Sequence, residues 1–443
     1  MTLQTKEDVL REVKEKEISI IRLWFTDLLG QVKSIAITRR EVENALTNGM
    51  GFDGSSVTGF HGIEESDMLA VPDPETFRMV PWRTKDGPVA RMICNIMTVD
   101  GEHFDGDPRF VLRKALERAK SMGFDCFNIG PELEYFYLKD EKSVEPLDKG
   151  GYFDLTDLDI LSDIRRDTIL ALEEMGINVE YLHHECGPSQ HEIDIRYCDA
   201  MTMADNVITY RVVVKKIARR YGLYATFMPK PMFGQPGSGM HVHQSLFRGE
   251  KNSFYDKNAK DFLSDEARWF IAGQLKYARE MSVIYAQWVN SYKRLVPGFE
   301  APVYIAWSMS NRSALIRIPK YQHGREKATR VELRCPDPAC NPYLMFATVL
   351  HAGLDGIEQK MELEPPMDTN LYHLSSMERK QLGIKSIPDS LGSAVAVAEN
   401  SEFLNRALGH HAFNHLIELK KAEWNDYRIQ VNQYEIDKLL SIL

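Results

Sequence analysis

No stretch of the 443 residues runs to 18 consecutive apolar side chains, which excludes a membrane-spanning helix of ordinary length. The densely charged segment from Met1 to Glu17 lacks the apolar core of a secretory leader. Six cysteines (Cys94, Cys126, Cys186, Cys198, Cys335, Cys340) include no C-x-x-C pair, so neither a zinc knuckle nor a disulfide framework is indicated. Reduced thiols in a cytoplasmic protein are expected instead. Basic charge is in short supply: 54 Lys and Arg against 64 Asp and Glu give a formal net charge of -10. That balance argues against a broad electrostatic grip on nucleic acid or on a membrane surface. Internal repeats and low-complexity tracts are also missing, which excludes a solenoid or fibre. What is present is 44% hydrophobic and 27% charged residues, enough to bury one large core or two unequal ones.

Residues 18–37 read as two apolar strands around the turn at Leu28-Leu29-Gly30, followed by a short helix over 40–46. At Asp105-Gly106-Asp107-Pro108, Asp107 can cap a helix whose first position is Pro108 and which Gly123 closes. A division is placed there, into domains 1–104 and 105–443. Beyond it, helices are predicted over 162–176, 199–222, 264–287 and 342–361. Strands are predicted around 127–138, 190–197, 224–230, 240–247, 312–318 and 329–335. The fold class is α+β. The basic end of 199–222 (Lys215, Lys216, Arg219, Arg220) is read as a solvated helix face favoured by the helix dipole.

Several of these strands carry carboxylates or imidazoles at alternate positions, so those groups share one sheet face. Glu132 and Glu134 project together from an otherwise aromatic strand, and they repel unless a cation or water lies between them. Glu185 and Glu192 flank a turn containing Gly187-Pro188, which either brings two distant carboxylates together or is a polar surface loop. A Gly-rich loop, Gly234 to Gly239, feeds a strand on which His241, His243 and Ser245 share a face; a tight hairpin is the plain alternative. Arginines gather in Tyr292 to Pro302, Asn311 to Pro319 and Arg330 to Pro338. In the last, Arg330, Glu332 and Arg334 line one face, which suits either an ion-pair ladder or an anion held by planar guanidinium groups. Five glutamates with one well-placed histidine favour hard ions such as Mg²⁺ or Mn²⁺ over zinc. Two such ions and several arginines are what would let a carboxylate attack the terminal phosphorus of ATP without prohibitive repulsion.

In order and spacing, these segments resemble those of glutamine synthetase of the bacterial and archaeal type I kind. The resemblance rests on Gly51-Phe52-Asp53-Gly54-Ser55-Ser56, Pro131-Glu132-Leu133-Glu134, His183-His184-Glu185, Gln190-His191-Glu192, Lys230-Pro231-Met232-Phe233-Gly234, Gly237-Ser238-Gly239-Met240-His241, Lys293-Arg294-Leu295-Val296-Pro297-Gly298, Asn311-Arg312-Ser313 and Glu332-Leu333-Arg334-Cys335-Pro336. It spans nearly the whole chain. The resemblance implies a small N-terminal β-grasp domain, a large catalytic α/β domain, and a homododecamer of two hexameric rings.

The resemblance also assigns roles. Glu134, Glu185 and Glu192 would hold one Mg²⁺ or Mn²⁺, and Glu132, His241 and Glu332 the second. Arg294 would bind the α-carboxylate of L-glutamate, Arg334 the reacting carboxylate, and the Gly237 backbone the amino group, with Glu134 nearby. Arg312 and Arg317 would meet the phosphoryl oxygens of ATP. Tyr197 and His243 would lie by the nucleotide, with Ser245, Lys327 and Arg330 as further candidates. Asp53 would reach into a neighbouring subunit's site and take the ammonium proton, and Glu300 would sit on a flap over the acyl phosphate. Nitrogen-regulatory proteins are possible partners. Pro236 replaces an Asn common before the Gly-Ser-Gly run, and Gly62 stands where a subgroup has an Arg used in glutamine feedback, so weak feedback by that route is expected. Two rival readings remain: a ligase joining glutamate to an amine or polyamine, and a catalytically silent nitrogen sensor.

Overall fold

The computed structural model describes residues 4–60, 66–82, 87–155, 159–297 and 301–443, without the side chains of 159, 160 and 376. The chain opens with a helix, Lys6–Glu15, whose start is fixed by a reciprocal cap between Thr5 and Asp8. Strands β1 (Ile20–Thr26), β2 (Val32–Thr38), β3 (Met50–Asp53), β4 (Asp67–Met79) and β5 (Val89–Thr98) form the first sheet, ordered β2-β1-β5-β4-β3. β5 lies at its centre, parallel to β1 and antiparallel to β4, and its run from Val89 to Cys94 is buried throughout. This sheet has its own core, built from residues such as Ile21, Leu23, Ala70, Met92, Ile96 and Phe104.

The second sheet contains β6 (Cys126–Leu138), β7 (Val179–His184), β8 (Gln190–Ile195), β9 (Cys198–Asp199), β10 (Tyr224–Thr226), β11 (Met240–Arg248), β12 (Lys251–Asn252), β13 (Tyr304–Ser308), β14 (Ala314–Arg317) and β15 (Val331–Leu333). Its main path runs β13-β14-β15-β11-β6-β8-β7. Alternation along β6 places Phe127, Ile129, Leu133, Tyr135 and Tyr137 in the large core. Glu132 and Glu134 consequently face the other way. The helices Pro108–Ser121, Ala200–Arg220, Asp265–Tyr285 and Pro342–Gln359 supply most of the packing on the core side. As expected, Asp107 caps the first of these by accepting from the Arg109 N–H.

The last two of these helices cross at glycines. A Cβ on Gly356 would stand 1.9 Å from the Trp269 carbonyl oxygen, and one on Gly273 would stand 2.0 Å from that of Ala352. Only hydrogen at both positions lets the backbones approach this closely. The two sheets are tied by charge and amide. Arg109 pairs with Asp73 at 2.7 Å and with Asp205 at 3.1 Å, while the Asn341 amide donates to the Leu28 carbonyl at 3.0 Å. The Asn341 bond fixes the turn between β1 and β2 against the start of the helix Pro342–Gln359.

Helices over Ser376–Gln381, Leu391–Ala398, Glu402–Leu408, His410–Arg428 and Gln433–Leu439 complete the chain, along with the strands β4, β5, β7 and β13. None of these was expected from periodicity. β5 is buried on both faces for much of its length, so it lacks the polar alternation that marks a half-exposed strand. β4 buries Met68, Ala70 and Pro72 on one side but carries the apolar Leu69 and Val71 on the other, which hides its alternation in the sequence.

Candidate active site

The polar face of the second sheet gathers the sequence-predicted carboxylates through its register. Glu134 lies opposite Glu192, and Glu132 opposite Asp194, across β6 and β8. On the other side of β6, His241 of β11 lies opposite Glu132; His243 in turn faces Glu332 of β15, and Arg317 of β14 faces Glu332. β7 adds His183 beside Glu192. The resulting cavity of about 230 Å³ is lined by Glu132, Glu134, Glu185, Glu192, His241 and Glu332, and also by Gly237, Arg294, Arg312, Arg317 and Arg334.

Two groups on this polar face have the geometry of cation sites: Glu132, His243 and Glu332, and His183, Glu185 and Glu192, each with candidate ligand atoms within 4.8 Å of one another; a third such group among the described residues is Asp148, His184 and His191. The expected trios differ by one member each, having His241 and Glu134 where these have His243 and His183. Hydrogen bonding qualifies the first difference. Arg330 donates to His243 Nδ1 at 3.2 Å, so His243 turns its Nε2–H to Glu132 at 2.7 Å. His241 gives its Nδ1–H to Glu132 at 2.9 Å and keeps a lone pair on Nε2. His241 is thus the imidazole whose tautomer suits ligation in this arrangement. Glu134 is tied by Gln190 at 2.8 Å and by the Gly239 N–H at 3.0 Å.

The electrostatics separate the carboxylates. Burial opposes ionisation of Glu132, but hydrogen bonds from His241 and His243 override it and hold the carboxyl well below its usual range. Burial also opposes ionisation of Glu332, and Arg334, His243, His241 and Arg317 reverse the effect. Glu134 is pushed up to about 7 by burial, which Arg294 only partly offsets. Glu192 lies well above its usual range through burial and the adjacent Asp194, Glu134, Glu132 and Glu185. A concentration of carboxylates that cannot all ionise alone fits divalent cations with oxygen-rich coordination. The Nδ1 of His183, buried and without a hydrogen-bond partner, marks the same side of the cavity as incompletely satisfied.

The arginines divide by what they already hold. Glu332, fully buried, pairs with both Arg317 and Arg334. Arg294 is 3% exposed, and its guanidinium donates to the carbonyls of Cys335, Pro336 and Arg334. Arg312 is exposed at the cavity wall. Gly237 approaches so closely that a Cβ there would lie 2.3 Å from the Pro229 carbonyl oxygen.

Other expected residues do not line this cavity. Tyr197 is exposed and packs across Gly130 towards His243, Ser245 is buried on β11, and Lys327 pairs with Glu250. Asp53 lies at the end of β3, the edge strand of the first sheet, where it caps the turn that follows through Ser55. Those Ser55 hydrogen bonds hold its carboxyl below the usual range. Glu300 and Gly62 lie outside the described residues. Tyr152, Tyr181, His183, Gln190 and Asp194 of this face were not singled out from the sequence, although the alternation Gln190, Glu192, Asp194 carries the signal for two of them.

The family model for the glutamine synthetase catalytic domain matches residues 105–439, and that for its beta-Grasp domain matches residues 17–99. This chain belongs to the glutamine synthetase family. The glutamine synthetase of Methanosarcina mazei is 51% identical over 443 residues, covering 99% of this chain and 98% of that one. That of Mycolicibacterium smegmatis is 49% identical, with 99% of each covered. Among solved structures, a GmaS/ADP complex superposes with a TM-score of 0.89 at 31% identity, covering 98% of this chain and 99% of that one. Plasmodium falciparum glutamine synthetase gives 0.89 at 27% identity, with 99% of both covered. The likeness at about half identity is to bacterial and archaeal members, and the N-terminal β-grasp unit followed by a large catalytic unit is the family's arrangement. Members of the family are ATP-dependent glutamate–ammonia ligases that use divalent metals.

Proposed function

We propose that the cavity on the polar face of the second sheet is where this glutamine synthetase joins ammonia to the γ-carboxylate of L-glutamate. The observation that carries the assignment to this cavity is the meeting of five glutamates with Arg294, Arg312, Arg317 and Arg334. Arg334 holds the reacting carboxylate, Arg294 the α-carboxylate, and the Gly237 backbone the amino group. A γ-carboxylate oxygen attacks the terminal phosphorus of ATP, giving γ-glutamyl phosphate and ADP. Arg312 and Arg317 steady the phosphoryl oxygens as charge develops. Ammonia then attacks the acyl carbon and phosphate departs with the C–O bond electrons. Divalent cations, two or more per site, would be held by Glu134, Glu185 and Glu192 with His183, and by Glu132, Glu332 and His241 or His243, and would neutralise phosphate charge. Tyr197, His243, Ser245, Lys327 and Arg330 belong to the nucleotide end of this reading, and Glu300 to a covering flap.

Asp53 does not line the cavity of its own chain, and its exposed place on an edge strand supports a role in a neighbour's site, within a homododecamer of shared sites. The exposed apolar residues Ile429, Val431, Tyr434, Leu440, Ile442 and Leu443 supply a surface that calls for a partner. The boundary at residues 104 and 105 is part of the same reading, supported by two separate cores. So is a cytoplasmic location, supported by six free cysteines. No described helix is long and apolar enough to cross a membrane.

The test follows glutamine and phosphate together from ATP, Mg²⁺, glutamate and ammonium, beside tubes with small amines and one with Glu332→Ala. Glutamine formed in step with phosphate, and lost in the variant, is the expected result. Amide formed only from an amine would overturn the ammonium assignment.

A further inference from the structure

A second cavity, of about 480 Å³, lies behind the proposed glutamate site, between the β1–β2 turn and the catalytic unit. Its apolar wall is Ile208, Phe227, Met228, Pro229, Trp288 and Val289. Arg211 and Lys215 also line it, four residues apart on the helix Ala200–Arg220 and hence on one face. Arg211 is 8% exposed; one Nη donates to the Cys340 carbonyl at 2.6 Å, while its buried Nε–H has no partner. Among the described residues the Lys215 ammonium has no carboxylate within ion-pair reach, and it lies 5.7 Å from the centroid of the Phe227 ring. Two like charges on one helix face repel unless an anion lies between them. Glu423, the single carboxylate in the wall, is already committed: it accepts from the Val289 N–H at 2.9 Å and from Lys420 at 2.8 Å.

We propose that this cavity is an effector site for a small monocarboxylate with an apolar, ring-bearing or branched body. The carboxylate would pair with the Lys215 ammonium and the guanidinium edge that Arg211 presents to the cavity, and the body would lie against Phe227 and Trp288. An amino acid fits less well, because its ammonium would meet the same two cations.

The wall is mechanically joined to the catalytic side. The Pro229 carbonyl accepts from the Ser238 N–H at 2.8 Å and crowds Gly237. The Asn290 side chain holds Lys230 through both backbone groups, at 2.7 and 3.0 Å, just before the short helix Ser291–Arg294. A ligand that shifts Pro229 or Asn290 therefore shifts Gly237 and Arg294. The expected kinetic effect is a changed KM for glutamate at unchanged kcat.

The probe is 3-phenylpropionate, titrated by calorimetry and tryptophan fluorescence into the full chain. Saturable binding is expected, persisting under saturating L-glutamate with an affinity shifted only by the factor by which the ligand shifts the glutamate KM, and weakened about tenfold or more in Lys215→Met. Lys215 is exposed, so this variant should fold normally, which an unchanged melting temperature would verify. 2-Phenylethylamine should not bind. Absence of binding, equal affinity in Lys215→Met, or mutually exclusive binding with glutamate, in which the apparent Kd rises without limit as glutamate is added, would each overturn the proposal. Inorganic phosphate binding as tightly as 3-phenylpropionate would overturn it too, by showing a bare anion site. The kinetic effect rests on the catalytic reading above, whereas the binding measurements do not, so the two can fail separately.

Discussion

Replacing Glu192 with Gln should leave the metal-free protein almost as stable as the parent while removing much of its stabilisation by Mg²⁺. The ligand atoms of Glu185 and Glu192 lie within 4.8 Å of each other. If both carboxyls were ionised, that pair alone would repel by about 3.5 kcal/mol at an effective dielectric constant near 20. Burial, then Asp194, Glu134 and Glu132, push in the same direction, towards the protonated form of Glu192 in the metal-free protein. A glutamine amide resembles that protonated form in shape and charge, and metal-free melting should move by no more than about 1 °C. With metal, the parent releases the proton and offers a carboxylate, while the variant offers a neutral oxygen. A hundredfold loss of affinity removes about 2.7 kcal/mol of ligand stabilisation at a fixed excess of metal. For a chain of this length, that corresponds to roughly 3 °C in melting temperature. Scanning calorimetry over a Mg²⁺ titration at pH 7 and pH 9 measures it. Affinity should rise with pH in both proteins, because Glu134 also sheds its proton over this range, but more steeply in the parent. An equal Mg²⁺-induced rise in the two proteins would refute the reasoning.

Glu332→Ala strands the buried Arg334 and the half-buried Arg317 and should destabilise the protein by about 3–5 kcal/mol, visible as a lowered denaturant midpoint. Gly356→Ala drives a methyl group into the Trp269 carbonyl, and a stability loss of about 1–3 kcal/mol or more is expected in the same assay. His351, buried and facing Arg118, has its pKa lowered to about 4. Its neutral form therefore supports the fold above pH 6.5, and roughly 3 kcal/mol is lost as pH falls from there towards 4; a His351→Gln stability profile should be flatter across that window. Asp53→Asn should lower kcat without changing Mg²⁺-induced stabilisation. Reassembling this variant with Glu332→Ala subunits should restore part of the activity if sites are shared, and no recovery would count against Asp53 acting across subunits.

The sequence by itself determined the chemistry of this protein more than its geometry. Alternation of charged with core residues along β6 and β11 is a local property, and it was enough to show that Glu132 and Glu134 share one strand's polar face and His241 and His243 another's. The cap at Asp107 was equally local. What the tertiary structure decided was adjacency. β15 comes about ninety residues after β11 yet pairs with it, and only that pairing brings Glu332 beside His243 and close to Glu132. His183 and Asp194 join the site for the same reason, through strands whose neighbours are set by packing helices on the opposite face. Strand order is a non-local choice governed by burial of the whole core, so no spacing along the chain encodes it directly. The C-terminal helices, the doubly buried β5 and its neighbour β4 escaped for a related reason: their pattern has meaning only against the surfaces they cover. The cavity beside Arg211 and Lys215 belongs wholly to the tertiary level, since on the sequence Lys215 is simply one charge in a solvated helix end.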